Sequence, residues 1–236
     1  MDININCDLG EGTGNDAAIM PFISSCSIAC GGHFGDDHTM RQTVRLAKQN
    51  GVGCGAHPSY PDRANFGRKP MAIPVAELSH SLNQQITDFH RICLEEGVVL
   101  HHIKLHGALY NQAAKDPQTA LVVLDAIDKT SLKVPIYAPW KSALAKAAKG
   151  RYRILFEAFA DRRYHADLRL VSRSHPDAVI TDKEEVSRQV LSILKKGQLT
   201  TIEGRIVPIK ADTFCVHGDQ RNAVEILRFL DGIRGI

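Results

Sequence analysis

Short apolar runs alternate along the chain with longer stretches in which apolar residues recur every three or four positions. Ile3 to Cys7 alternates apolar and polar residues and predicts a first strand. Ser27 to Cys30, Gly53 to Ala56, Val98 to Leu105, Val134 to Ala138, Ile154 to Phe159 and Thr213 to Val216 predict further strands. Several are continuous apolar runs, as expected where helices cover a parallel sheet. Asp37 to Asn50 opens on acidic residues, stops at Gly51 and predicts a helix. Pro74 to Glu96 starts on proline and ends at Gly97, with Leu78, Leu82, Ile86, Phe89 and Cys93 at helical spacing. Pro117 to Lys129, Lys141 to Lys149, Asp182 to Lys196 and Gln220 to Arg234 are similar. The alternation predicts an α/β chain with a parallel sheet or barrel.

The polar residues cluster just after the strand runs. Asp8 and Glu11 follow the first, His33 the second and His57 the third. Lys104 and His106 close the fourth, Asp161 and Arg162 follow Phe159, and His217 and Asp219 follow the last. In an α/β barrel all strand C-termini open on one face, which holds the active site. Residues scattered over the whole chain would therefore meet in one pocket. The stretch from His57 to Met71, with three prolines, Arg63 and Arg68, predicts a long loop folded over the barrel mouth.

Composition narrows the class. With 236 residues, 44% of them hydrophobic, the chain can bury one sizeable core, so a single domain over 1–236 is expected. A formal charge of +3 is too small and too evenly spread to imply nucleic acid or a membrane surface. Six cysteines without a C-x-x-C pair read as buried, reduced thiols. No leader and no long apolar span is visible, which predicts a soluble, cytoplasmic protein.

Each motif has a plain and a chemical reading. Asp8-Leu9-Gly10-Glu11-Gly12 is either a capped turn or a pair of carboxylates beside exposed amides. His33, His57, His106 and His217 are the four histidines at matching positions, and imidazole suits proton transfer or metal binding. Asp8, His33 and His57 are candidate metal ligands, although no compact metal spacing such as H-E-x-x-H exists. Lys104 either holds an anionic substrate or pairs across the barrel with Asp8 or Glu157, with Tyr110 as a pocket wall or hydrogen-bond donor. Cys30 and Cys215 lie near the candidate site, but their apolar flanks favour packing. There is no phosphate loop for ATP and no G-x-S-x-G elbow.

Six ordered motifs together resemble the LamB/YcsF family: N-C-D-L-G-E-G (6–12), I-A-C-G-G-H-F-G-D (28–36), G-A-H-P-S-Y-P-D-R-A-N-F-G-R (55–68), K-L-H-G-A-L-Y-N (104–111), F-E-A-F-A-D-R-R-Y (156–164) and C-V-H-G-D (215–219). Two positions depart from the family pattern. Gly31 to Asp36 reads G-G-H-F-G-D where G-F-H-A-G-D is usual, and Leu105 replaces a proline; both changes spare the polar residues. The resemblance implies a (β/α) barrel related to the seven-stranded glycoside hydrolase/deacetylase superfamily. It implies a hydrolase that opens the cyclic amide of 5-oxo-L-proline to L-glutamate, coupled to ATP, with partner subunits B and C handling or sharing the nucleotide. Within that scheme Asp8, with His57, is the expected base, supported by Glu11. Lys104 and His106 stabilise charge, and Arg63 and Arg68 hold the substrate carboxylate or phosphate, in a pocket that includes His33, Tyr110 and Arg162. Asp161, His217 and Asp219 orient the histidines or protonate the leaving nitrogen. The alternatives are a metal-dependent deacetylase or amidohydrolase on the same barrel, and a non-catalytic lactam- or sugar-binding role. A homo-oligomer is compatible with all three.

Overall fold

Nine strands and the helices between them make up the computed structural model, which describes residues 3–233. The strands are β1 (Ile5–Leu9), β2 (Ser25–Ala29), β3 (Gly53–His57), β4 (Leu100–Lys104), β5 (Ile136–Pro139), β6 (Ile154–Phe159), β7 (Gln198–Thr200), β8 (Ile206–Pro208) and β9 (Thr213–Cys215). The helices are α1 (Asp16–Ile19), α2 (Asp37–Gln49), α3 (Val75–Glu95), α4 (Gly107–Lys115), α5 (Pro117–Asp128), α6 (Ala143–Ala147), α7 (Lys183–Lys196) and α8 (Ala223–Gly232). Strands β1 to β6 and β9 form a closed parallel barrel, in line with the sequence pattern. Closure runs through β9, whose Cys215 pairs in register with Asn6 on one side and Phe159 on the other. The antiparallel pair β7–β8 lies outside the barrel and has no counterpart among the predicted strands, because three-residue strands are too short to show a period.

Local chemistry explains most element ends. Asp36 caps α2 in a capping box with Thr39, Asp116 caps α5, and α7 stops at Gly197 in the left-handed region. Three departures from the sequence pattern have local causes. Helix α4 carries no start signal, because it begins at a glycine with no side-chain cap. Helix α6 begins only after Ser142, since Lys141 has φ +63°. Helix α8 begins at Ala223, not Gln220, and its predicted end at Arg234 lies outside the described residues.

The apolar core sits between strands and helices, built from side chains such as Ile5, Ile28, Leu82, Phe89, Ile103 and Leu227. The barrel interior is instead polar. Ser27 Oγ lies 3.1 Å from His102 Nε2, Ser25 Oγ lies 3.0 Å from Tyr137 Oη, and Asn6 Nδ2 donates to Thr213 Oγ1 at 3.0 Å. His102 stacks on Tyr137 with centroids 3.8 Å apart. These groups hydrogen-bond one another, which offsets the cost of burying them. Gly55 of β3 makes room for that stack, since a Cβ there would collide with the His102 imidazole. Gly55→Ala is therefore expected to destabilise the protein by about 1–3 kcal/mol, read as a lower urea midpoint at unchanged m-value; an unchanged midpoint would show that the ring can yield.

Candidate active site

The barrel strands deliver their polar ends to one cavity of about 560 Å³. Asp8, Lys104 and Glu157 come from β1, β4 and β6, and Glu11 from the turn after β1. Lys104 is the centre of the floor. Its Nζ lies 2.8 Å from Asp8 Oδ1 and 2.8 Å from Glu157 Oε1, and it donates to Asn6 Oδ1 at 3.1 Å. Cys215 Sγ is 3.2 Å away. The two salt bridges that stand as alternatives in the sequence both form. Tyr110 Oη donates to the other Glu157 oxygen at 2.7 Å.

Beside this cluster lies a second one built from Glu11, His33, His57 and His106. His57 Nδ1 donates to the Lys104 carbonyl at 2.8 Å, and His106 Nε2 donates to the Phe66 carbonyl at 3.0 Å. His57 Nε2 and His106 Nδ1 then face each other at 3.0 Å. Glu11 Oε1 is 2.9 Å from His33 Nε2, 3.2 Å from His106 Nδ1 and 3.8 Å from His57 Nε2. Among the described residues these four are the group whose ligand-type atoms all fall within 4.8 Å. Asp8, expected as a metal ligand with His33 and His57, stands next to this group. Its Oδ1 is on Lys104 and its Oδ2 is 3.4 Å from His57 Nε2.

The His57–Met71 segment does fold against the barrel mouth. Phe66, at φ +54°, turns its carbonyl onto His106. The Gly67 carbonyl accepts from Ala108 N at 2.9 Å and approaches Gly107 so closely that a Cβ there would be 2.7 Å from it. Arg63 does not reach the cavity, contrary to expectation. Its guanidinium donates to the carbonyls of Gly31 and Gly35, which the turn after β2 leaves exposed. Arg162 lines the cavity, but it too donates to backbone, the carbonyls of Ala178 and Val171. Arg68 stays at the mouth and shares Asp219 Oδ2 with Arg173, at 2.6 and 3.4 Å. Asp161 accepts from His217 N at 3.0 Å, His217 Nδ1 at 2.8 Å and Gln220 Nε2 at 2.7 Å. It therefore orients His217, which stacks on Phe159.

Burial pushes the Asp8 carboxyl up, but the facing His57 and Lys104 outweigh it and hold Asp8 well below the usual carboxylate range. Burial likewise opposes ionisation of Glu11, and hydrogen bonds from His106 and His33 reverse it. The Lys104 ammonium loses solvation and still titrates well above an ordinary lysine because Asp8, Cys215 and Glu157 surround it. Burial drives His33 down to about 4 and lowers His106, whereas Asp8 outweighs burial at His57 and raises it. All six cysteines are buried and unpaired, and burial raises the Cys215 thiol well above its ordinary value, so it packs rather than attacks.

From the sequence Glu157 stands only as a pairing partner, and nothing there singles out Asn6 or Arg173 or shows that Cys215 touches the ammonium. Glu157 leaves one signal, a single acid inside the apolar run I-L-F-E-A-F. The Phe66 carbonyl leaves none. Among the described residues no helix is long and apolar enough to cross a membrane.

Comparison with known proteins agrees with this geometry. The A-type 5-oxoprolinase subunit of Bordetella pertussis is 44% identical, covering 98% of this chain and 93% of the relative. The protein of the same name from Chloroflexus aggregans is 45% identical, covering 94% and 91%. The crystal structure of the lactam utilization protein of Thermus thermophilus superposes with a TM-score of 0.90 at 36% identity, covering 98% of this chain and 95% of that one. The sequence profile of the LamB/YcsF family matches residues 3–232, so barrel and pocket together are described by one family pattern, and the chain belongs to the LamB/YcsF family.

Proposed function

We propose that this chain is the ring-opening subunit of an ATP-coupled 5-oxoprolinase, acting with partner subunits B and C. One observation carries the reading: a buried ammonium, Lys104, clamped between Asp8 and Glu157 at the floor of a cavity with arginines at its mouth. The names of the relatives agree with it. The overall reaction is 5-oxo-L-proline + ATP + 2 H2O to L-glutamate + ADP + phosphate. The partners transfer the γ-phosphoryl group to the lactam oxygen, which removes amide resonance and makes carbon 5 electrophilic. Water adds to that carbon, the ring C–N bond breaks with the nitrogen protonated, and γ-glutamyl phosphate results. A second water releases phosphate and glutamate.

Within this scheme the Asp8 carboxylate takes the proton of the attacking water. Lys104 orients Asp8 and faces the charge that develops on oxygen. Arg68 and Arg173, which share one carboxylate between two guanidinium groups, receive the substrate carboxylate or phosphate at the mouth. His217, held by Asp161, reaches the ring nitrogen as acid. ATP is assigned to the partners, because the chain carries no phosphate loop. The test is glutamate release from 5-oxoproline with ATP, with and without subunits B and C. Turnover is expected only in the complete mixture. Turnover by this chain alone without ATP would favour a metal-dependent amidohydrolase, and undiminished turnover without this chain would leave it a binding role.

A further inference from the structure

The second cluster, beside Lys104, is not required by the ring-opening scheme. A neutral imidazole has one N–H and one bare nitrogen. His57 commits its N–H to the Lys104 carbonyl, and His106 commits its own to the Phe66 carbonyl. A carbonyl only accepts, so these tautomers are fixed. The remaining nitrogens, His57 Nε2 and His106 Nδ1, are both bare and stand 3.0 Å apart. Two lone pairs do not hydrogen-bond each other. A cation must lie between or beside them, and the Glu11 carboxylate points at the same place.

We propose that Glu11, His57 and His106 bind one divalent metal ion of the zinc class. Donor atoms about 2.0–2.1 Å from a tetrahedral ion stand about 3.3 Å from one another. The observed separations are 3.0 Å for His57–His106, 3.2 Å for Glu11–His106 and 3.8 Å for Glu11–His57. Two imidazoles and one carboxylate suit zinc in ligand type. The outer shell is in place, since each ligating ring donates its other N–H to a backbone carbonyl. The strained Phe66 backbone is explained by this role, because its positive φ aims that carbonyl. His33 stacks on His106 with centroids 3.6 Å apart and holds Glu11 at 2.9 Å, so it positions the carboxylate. Charge balance points the same way. Asp8, Glu11 and Glu157 line the inner cavity against one buried ammonium, Lys104. A bound ion would supply a Lewis acid at the inner end of the pocket.

The site stands independently of the lactam reading, and its test needs no substrate. Chelator-stripped protein is titrated with zinc(II) and with cobalt(II), following binding by calorimetry and by the visible absorption of tetrahedral cobalt. One equivalent is expected to bind, with cobalt absorption that zinc displaces. Glu11→Gln and, separately, His57→Gln should weaken binding by at least the roughly 10–100-fold that an outer-shell change costs. Asp8→Asn should bind as the parent does. Circular dichroism checks the fold of each variant. Absence of stoichiometric binding by the parent protein would overturn the site and leave a shared proton between the two rings. Unchanged affinity in folded Glu11→Gln, or lost affinity in folded Asp8→Asn, would overturn the ligand set.

Discussion

Asp8→Asn is expected to cut glutamate release by the complete enzyme about 10³-fold, within the range for losing a general base. Asparagine keeps the shape and an oxygen for Lys104, but it cannot accept a proton. The loss should fall on kcat rather than KM, because Asp8 lies at the floor, away from the arginines that would hold the substrate's anionic groups. Lys104 retains Glu157 as its counter-ion, so the fold should survive. The decisive measurement is steady-state kinetics of the reconstituted complex beside a melting curve. Full activity in a folded Asp8→Asn protein would remove Asp8 from the mechanism.

Lys104→Met should have the largest effect on stability. It leaves Asp8 and Glu157 in the barrel interior without their ammonium. Removing one partner of a buried ion pair costs about 3–5 kcal/mol. Lys104 is 1% exposed, so water cannot replace it without opening the barrel. The pH dependence follows from the raised Lys104 value. Burial disfavours the ammonium, but Asp8 and its neighbours more than compensate. A group raised in the folded state contributes fully below its unfolded value, about 10.4 for lysine, and loses that contribution as pH rises through the folded one. The stability gap between parent and variant should therefore be flat from neutral pH to about pH 10 and shrink above it. Urea unfolding at several pH values measures it. A gap that already closes between pH 7 and 9 would mean the ammonium is not held by these carboxylates.

The barrel is legible in the sequence because its signals are local. Leu78, Leu82, Ile86, Phe89 and Cys93 recur with the period of a helix face, and the continuous run from Ile154 to Phe159 marks a strand buried on both sides. The expectations that failed depend on partners distant in the chain. Arg63 has the chemistry to hold a substrate anion, but unpaired carbonyls at Gly31 and Gly35 lie within reach and take it. Glu11 is expected from its spacing to support Asp8. It faces the three imidazoles instead, because the turn after β1 carries it past the ammonium.

By itself, then, the residue order determined the alternation of strand and helix and the placing of acids, imidazoles and lysine at strand ends, since both rest on neighbours along the backbone. Which acid meets the ammonium, which nitrogen of His57 and His106 is bare, and which arginine stays at the mouth were decided only in the folded barrel. Those choices turn on distances of a few ångströms between groups separated by tens of residues, as for His57 and His106 or Lys104 and Asp8. Hydrogen-bond direction and Coulomb energy act through space, and only closure of the seven parallel strands brings those atoms within range.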